Sequence, residues 1–201
     1  MISIIDYDAG NIKSVEKALQ HLGQEAVITA DPDLILSSDH VILPGVGAFG
    51  DAMARLRSSG LDRVIGHVAE KKIPFLGICL GLQLLFESSE ESPGVTGLGL
   101  LEGRILRIPP KEGLKIPHMG WNSITCSQGA RLFKGLPEHP YVYFVHSYYL
   151  SASNREDVAA TTEYSTLIHA SVEHGNIFAC QFHPEKSGSV GLQILRNFID
   201  L

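Results

Sequence analysis

Short apolar runs alternating with helical patterns constrain the first half of this chain more than any other feature. Ile2–Ile5, Ala26–Thr29 and His40–Leu43 read as strands, and residues 73–78 form a fourth, buried run. Between the first two, Ile12, Val15, Ala18, Leu19 and Leu22 fall at helical spacing, with Asn11 placed to cap the helix and Gly23 to stop it. The spacing predicts further helices over 61–71 and 80–86. Such alternation argues for an α/β fold, a mostly parallel central sheet flanked by helices. From Arg104 to about Cys180 the chain changes to short strand-like pieces between turns, including 141–145 and 177–181, which predicts an antiparallel extension. A last helix is expected over 190–199, with Val190, Ile194, Leu195, Phe198 and Ile199 on one face. With no internal repeat and no linker, residues 1–201 are expected to form one domain.

Composition narrows the function classes. Hydrophobic residues are 44% of the chain, enough to build a core, and the 20 glycines and 10 prolines are dispersed, which excludes a low-complexity chain. The net charge is −6 and the only adjacent basic pair is Lys71-Lys72, so there is no stripe to bind a nucleic-acid backbone. Three widely spaced cysteines (Cys79, Cys126 and Cys180) make no disulfide framework and suit a reducing compartment. No Cys-x-x-Cys occurs and no two histidines stand four residues apart, so no metal is expected. The chain opens on a strand pattern and not on a secretory signal. Its most apolar uncharged stretch, 73–86, is interrupted by Pro74, Gly77, Gly81 and Gln83 and is shorter than the ~20 residues a membrane span needs. A cytoplasmic protein is expected.

The strongest chemical signal is Gly77-Ile78-Cys79-Leu80-Gly81, between an apolar strand and a helix. It has the Gly-x-nucleophile-x-Gly spacing of an elbow, in which a reactive side chain sits on a strained strand-to-helix turn and flanking side chains would collide with their neighbours. A helix N-terminus also favours the thiolate. The plainer reading of Cys79 is a small buried hydrophobe. A thiol nucleophile needs a base and an orienting group, and Gln181-Phe182-His183-Pro184-Glu185 offers both. In an extended segment His183 and Glu185 would face one side, with Pro184 stiffening the backbone between them; the alternative is a solvated surface turn. Cys126 and Cys180 lack such context and read as structural.

A rival motif, Gly45-Val46-Gly47-Ala48-Phe49-Gly50, has the form of a dinucleotide fingerprint after a strand. The acidic residue expected ~20 positions later should end a second strand, but Glu70 falls in a helical pattern, and Pro44 suits a turn better than a phosphate loop.

Gly77-Ile-Cys-Leu-Gly-Leu-Gln83 with Phe182-His-Pro-Glu185 resembles the class I, triad-type glutamine amidotransferases. Asp6-Tyr-Asp-Ala-Gly-Asn-Ile12, Pro44-Gly-Val-Gly47, Pro117-His-Met-Gly-Trp-Asn122 and Tyr143-Phe-Val-His-Ser-Tyr148 narrow the resemblance to glutaminase subunits of imidazole glycerol phosphate synthases, from the first strand to the last helix. The resemblance implies a flavodoxin-like fold and a Cys79-His183-Glu185 triad that hydrolyses glutamine to glutamate and ammonia, with no cofactor. It implies oxyanion donors at the Leu80 N–H and on Gly45-Val46-Gly47, with Gly81 closing the elbow. Gln83, Glu91 and the backbone of His146-Ser147-Tyr148 would hold the substrate. The partner implied is a separate (β/α)8-barrel cyclase, which uses the ammonia to make imidazole glycerol phosphate and an aminoimidazole carboxamide ribonucleotide in histidine biosynthesis. Asn11, Met119, Trp121, Tyr143 and Lys186 are its candidate contacts; the bland reading puts Trp121 inside the domain and leaves Lys186 merely solvated. Glutaminases of other synthases, a nucleotide-binding dehydrogenase and a silent binding module are the other readings considered.

Overall fold

The computed structural model describes residues 1–8 and 10–201. In chain order the elements are β1 (Ile2–Ile5), α1 (Ile12–His21), β2 (Ala26–Thr29), α2 (Pro32–Leu36), β3 (His40–Leu43), α3 (Phe49–Ser59), α4 (Leu61–Glu70), β4 (Phe75–Ile78) and α5 (Leu80–Leu84). There follow β5 (Ser88–Ser89), β6 (Gly103–Arg107), β7 (His118–Ser123), β8 (Thr125–Cys126), β9 (Tyr141–His146), β10 (Tyr148–Ala152), β11 (Val158–Tyr164), β12 (Thr166–His174), β13 (Ile177–Cys180) and α6 (Gly188–Ile199).

The main sheet runs β2-β1-β3-β4-β13-β12-β11-β8. Its first five strands pair in parallel and the last three continue antiparallel. The expected parallel sheet with an antiparallel extension is therefore present. Residues 177–181 were assigned to the extension, and the structure corrects this: β13 pairs parallel with β4 on one side and antiparallel with β12 on the other, so it is the seam. β10-β6-β5 and β7-β9 form two smaller sheets.

Parallel strands are buried on both faces, so their residues alternate between two cores. Ile5, Val41, Leu43, Phe75 and Ala179 join Met53, Leu56 and Ile65 of α3 and α4. Ile4, Ile42, Leu76, Ile78 and Phe178 join Val15, Leu19, Leu195 and Phe198 of α1 and α6. Two helices went unread in the sequence. α2 has Asp31 as its cap, accepting from Asp33 N–H at 2.9 Å, and Pro32 in its first turn. α3 begins within the glycine-rich segment after β3, at Phe49. The helix after Cys79 ends at Leu84, two residues short of its expected end. No helix is long and apolar enough to cross a membrane among the described residues.

The carboxyl ends of β3, β4 and β13 lie level, with Leu43 opposite Gly77 and Ile78 opposite Cys180. In open α/β sheets that edge is where ligands bind. It carries Gly45-Val46-Gly47, Cys79, and Gln181 with His183.

Candidate active site

Cys79 stands between β4 and α5 at φ 56°, ψ −108°, a conformation that costs a non-glycine residue about 1–3 kcal/mol. Surrounding structure enforces it. The Cys79 N–H donates to the Cys180 carbonyl at 2.8 Å, and the Cys79 carbonyl accepts from Leu82 at 3.1 Å. The flanking glycines allow the close approach. A Cβ on Gly81 would lie 1.9 Å from the Leu43 carbonyl oxygen, and one on Gly77 would lie 2.7 Å from that of Gly81. The collision argued from the motif is thus a collision with β3 and with the elbow itself.

His183 and Glu185 meet as expected, by a different backbone path. The segment is not extended: Pro184–Lys186 form a 3₁₀ turn, because Pro184 suits a first helical position and Ser187 ties the turn back to His183. His183 Nδ1 bonds Glu185 Oε1 at 2.7 Å, both side chains being buried. Asn11 Nδ2 donates to that same carboxylate oxygen at 2.6 Å. Asn11 was read as a helix cap; it heads α1 in the left-handed region and makes no side-chain cap, its amide being spent on Glu185. Strand β9 braces the histidine from the other side. The His183 N–H donates to the Tyr143 carbonyl at 2.9 Å. Ser187 Oγ accepts from the Tyr143 N–H at 3.0 Å and donates to the His183 carbonyl at 2.6 Å.

Among the described residues His183 Nε2 is buried without a regular hydrogen bond, on the side of the imidazole left for the thiol. Burial pulls the imidazole toward its neutral form, but the Cys79 sulfur and the Glu185 carboxylate outweigh this and push its pKa up to about 9. Near neutral pH the imidazole therefore holds a proton beside the candidate nucleophile.

A cleft of about 360 Å³ opens over this pair, a volume at the small end of ligand sites. Cys79, Leu80, Gln83, Glu91 and His183 line it, with Val46 and Gly47 and the His146-Ser147-Tyr148 segment. Pro117 and Val145 line it too and are not among the expected site residues; Pro117 opens the Pro-His-Met-Gly-Trp-Asn string and Val145 lies within Tyr143-Phe-Val-His-Ser-Tyr148. Gly45 and Gly81 lie beneath the lining, buried.

Several of these groups are already engaged. The Leu80 N–H, expected to face an oxyanion, donates to the Gly45 carbonyl at 3.3 Å. The Tyr148 carbonyl accepts from Gln83 Nε2 at 3.1 Å and from His146 Nδ1 at 2.8 Å, and the Ser147 carbonyl accepts from Ile108 N–H at 3.0 Å. His146 Nε2 in turn meets His118 Nδ1 at 2.9 Å, and His118 Nε2 meets Asn122 Nδ2 at 3.3 Å. The accept-only carbonyl orients this chain, which closes with both imidazoles neutral. Burial pulls His118 down to about 4 and His146 to about 3, so neither is charged near neutrality.

The glycine-rich rival fares differently. Gly45 to Gly50 does lead from β3 into α3, against the turn expected from Pro44. Its helix start is filled from within, however: Phe49 N–H donates to Glu91 Oε2 at 2.8 Å and Gly50 N–H to Ser92 Oγ at 3.0 Å. A carboxylate occupies the place a pyrophosphate would take, and Glu70 lies at the end of α4, away from β2.

Of the candidate partner contacts, Met119 and Trp121 are exposed at 62% and 56%, so the alternative that buries Trp121 within the domain is wrong. Trp121 packs edge-on to the half-buried Tyr143, and Lys186 is exposed. Cys126 is half-buried on β8, and the buried Cys180 thiol turns to the Phe182 carbonyl at 3.5 Å. Gln181, which no sequence argument singled out, contacts the Cys79 sulfur.

The family model for class-I glutamine amidotransferases matches residues 3–201. Among curated proteins, the chain is 50% identical to imidazole glycerol phosphate synthase subunit HisH of Methanothermobacter thermautotrophicus, covering all of this chain (100%) and 98% of that protein. It is 52% identical to the protein of the same name from Moorella thermoacetica, covering 100% and 94%. Among solved structures, a glutamine amidotransferase superposes with a TM-score of 0.77 at 19% identity, covering 99% of this chain and 97% of the other. PurLQS from Thermotoga maritima superposes with a TM-score of 0.76 at 21% identity, covering 99% and 97%. At those identities the two structures speak to the fold alone.

Proposed function

The chain belongs to the class-I glutamine amidotransferases, and from that premise we propose that it is the ammonia-supplying glutaminase subunit of an imidazole glycerol phosphate synthase. The observation that carries the chemistry is the strained Cys79 at the cleft floor beside His183, whose Nδ1 is held by Glu185 at 2.7 Å. The subfamily rests on the full-length likeness to proteins named for that synthase.

In this reading the Cys79 sulfur attacks the γ-carboxamide carbon of glutamine and His183 Nε2 takes the thiol proton. The carbonyl electrons move to oxygen, and the oxyanion needs donors. As it collapses, the C–N bond breaks and His183 returns the proton to the leaving ammonia. Water then attacks the γ-glutamyl thioester as His183 takes its proton, the C–S bond breaks, the proton returns to the Cys79 sulfur, and glutamate leaves. Glu185 keeps the imidazole oriented and offsets its positive charge. Gln83 and Glu91 sit where they can hold the amino-acid end of the substrate.

One of the expected oxyanion donors is not free in this arrangement, since the Leu80 N–H is tied to the Gly45 carbonyl. We read the Gly45-Val46-Gly47 strand as waiting to turn, and the isolated chain as a slow glutaminase. The turn is supplied by a (β/α)8-barrel cyclase docking on the face that carries Met119, Trp121, Tyr143 and Lys186, next to Asn11. Free ammonia would be protonated in water and lose its nucleophilicity, so a closed passage into the cyclase keeps it reactive. The setting is cytoplasmic, and residues 1–201 act as one domain.

The test is glutamate release from glutamine, with and without the cyclase and its nucleotide ligand. Release that rises strongly with the liganded cyclase and vanishes in Cys79→Ala is expected. Release indifferent to the cyclase would move the chain to another synthase, and none under any condition would end the glutaminase reading.

A further inference from the structure

Gln181 is fully buried at the end of β13. Its Nε2 donates to Cys79 Sγ at 3.7 Å, an ordinary reach for a bond to sulfur. Its Oε1 accepts from Gln83 Nε2 at 3.0 Å, and that nitrogen also donates to the Tyr148 carbonyl at 3.1 Å. The direction of this relay is forced. A backbone carbonyl only accepts, so Gln83 must present nitrogen to Tyr148. The same nitrogen then requires the oxygen of Gln181, which leaves the Gln181 nitrogen for the sulfur. The backbone is fixed as well, since the Gln181 N–H donates to the Ala170 carbonyl at 2.8 Å and its neighbour Cys180 accepts from Cys79 N–H.

We propose that Gln181 is a second donor to the nucleophile: oriented by Gln83 and the Tyr148 carbonyl, it holds Cys79 Sγ toward His183 and stabilises the sulfur when it carries the free electron pair. That is the moment before the S–C bond forms, and again when the thioester C–S bond breaks. His183 handles the proton and Gln181 handles the sulfur. The proposal deepens the glutaminase reading and rests on it for its role in turnover. Gln83 gains a second duty, because the side chain facing the substrate also sets the amide that faces the thiol.

Two substitutions separate the donor from the packing. Gln181→Glu keeps the length and the acceptor for Gln83 but turns an anionic oxygen to the sulfur; Gln181→Met keeps the bulk without a donor. Alkylation of Cys79 by iodoacetamide, followed by peptide mass across pH 6–9, needs no glutamine turnover. Cys126 and Cys180 peptides serve as internal references. The ionisable groups near the sulfur are His183, Tyr7 and Cys180, with the Glu185 carboxylate and His146 acting through His183. They are common to parent and variants, so a difference between profiles isolates Gln181.

Gln181→Met should alkylate about ten-fold more slowly at pH 7, with its profile displaced to higher pH, and Gln181→Glu more slowly still, as expected for losing a hydrogen bond to a charged group. With the cyclase present, kcat for glutamate release should fall while KM stays near the parent value. Profiles that coincide with the parent's overturn the proposal. A parent that alkylates as described but releases no glutamate would instead overturn the glutaminase reading and leave the sulfur contact standing. Should neither variant fold, the Gln181 side-chain amide resonances of the parent, assigned by ¹⁵N spectroscopy, should follow the Cys79 alkylation profile with pH; resonances indifferent to it overturn the proposal.

Discussion

At His183 opposing influences meet on one ring. Burial favours the neutral imidazole, while the sulfur on one side and Glu185 on the other favour the charged one and prevail. A group whose proton is bound more tightly in the folded chain adds stability below its ordinary value and loses it as pH rises through the folded value. Folding stability should therefore decline as pH rises from 6.5 toward about 9, and His183→Gln should flatten that slope in a series of urea titrations. Asn11 bears on the same pair through Glu185 Oε1. Asn11→Ala should lower kcat/KM for glutamate release about ten-fold, the scale of one hydrogen bond to a charged group, and Asn11→Asp further, by placing a second negative charge there. The candidate triad was legible in the sequence because its residues stand within two short motifs. The Asn11 contact was not, because 174 residues separate its partners and an asparagine before a helix reads first as a cap.

At the scale of elements, the strand–elbow–helix unit shows what local sequence can reveal. An apolar run, a glycine on each side of Cys79 and a helical pattern behind it are all contiguous, so the turn was readable before its contacts were known. Gly81→Ala should destabilise the chain by about 3 kcal/mol, because the new methyl meets the backbone of β3 and not a flexible side chain; a lowered urea midpoint with an unchanged slope would show it. Less was legible where long-range pairing decides. β13 is an apolar run like any other, and only its neighbours make it parallel on one side and antiparallel on the other. α3 was hidden by its own start, since Gly45 to Gly50 drew attention as a possible phosphate loop while Ala52, Met53 and Leu56 carried the helical spacing.

Across the whole molecule, the two cores place α3 and α4 on one face of the sheet and α1 and α6 on the other. The edge with the candidate site lies where β3, β4 and β13 end, beside the small β7-β9 sheet that carries Met119 and Trp121 into solvent. That sheet also supplies the Tyr143 carbonyl, which accepts from the His183 N–H, so a partner seated on it would press on the site through backbone bonds. Trp121 is the only tryptophan in the chain, and its emission should shift to shorter wavelength as the cyclase is titrated in. Trp121→Ala should weaken that association about thirty-fold, the scale of an aromatic hot spot.

During turnover glutamine is expected to become covalently attached to Cys79. Acid quenching of the chain with glutamine and the liganded cyclase, followed by peptide mass analysis, traps that intermediate. A γ-glutamyl adduct should appear on the Cys79 peptide and be absent from Cys79→Ala and from samples lacking glutamine. Glutamate formed at full rate with no adduct on Cys79, or with one on Cys126 or Cys180, would contradict it.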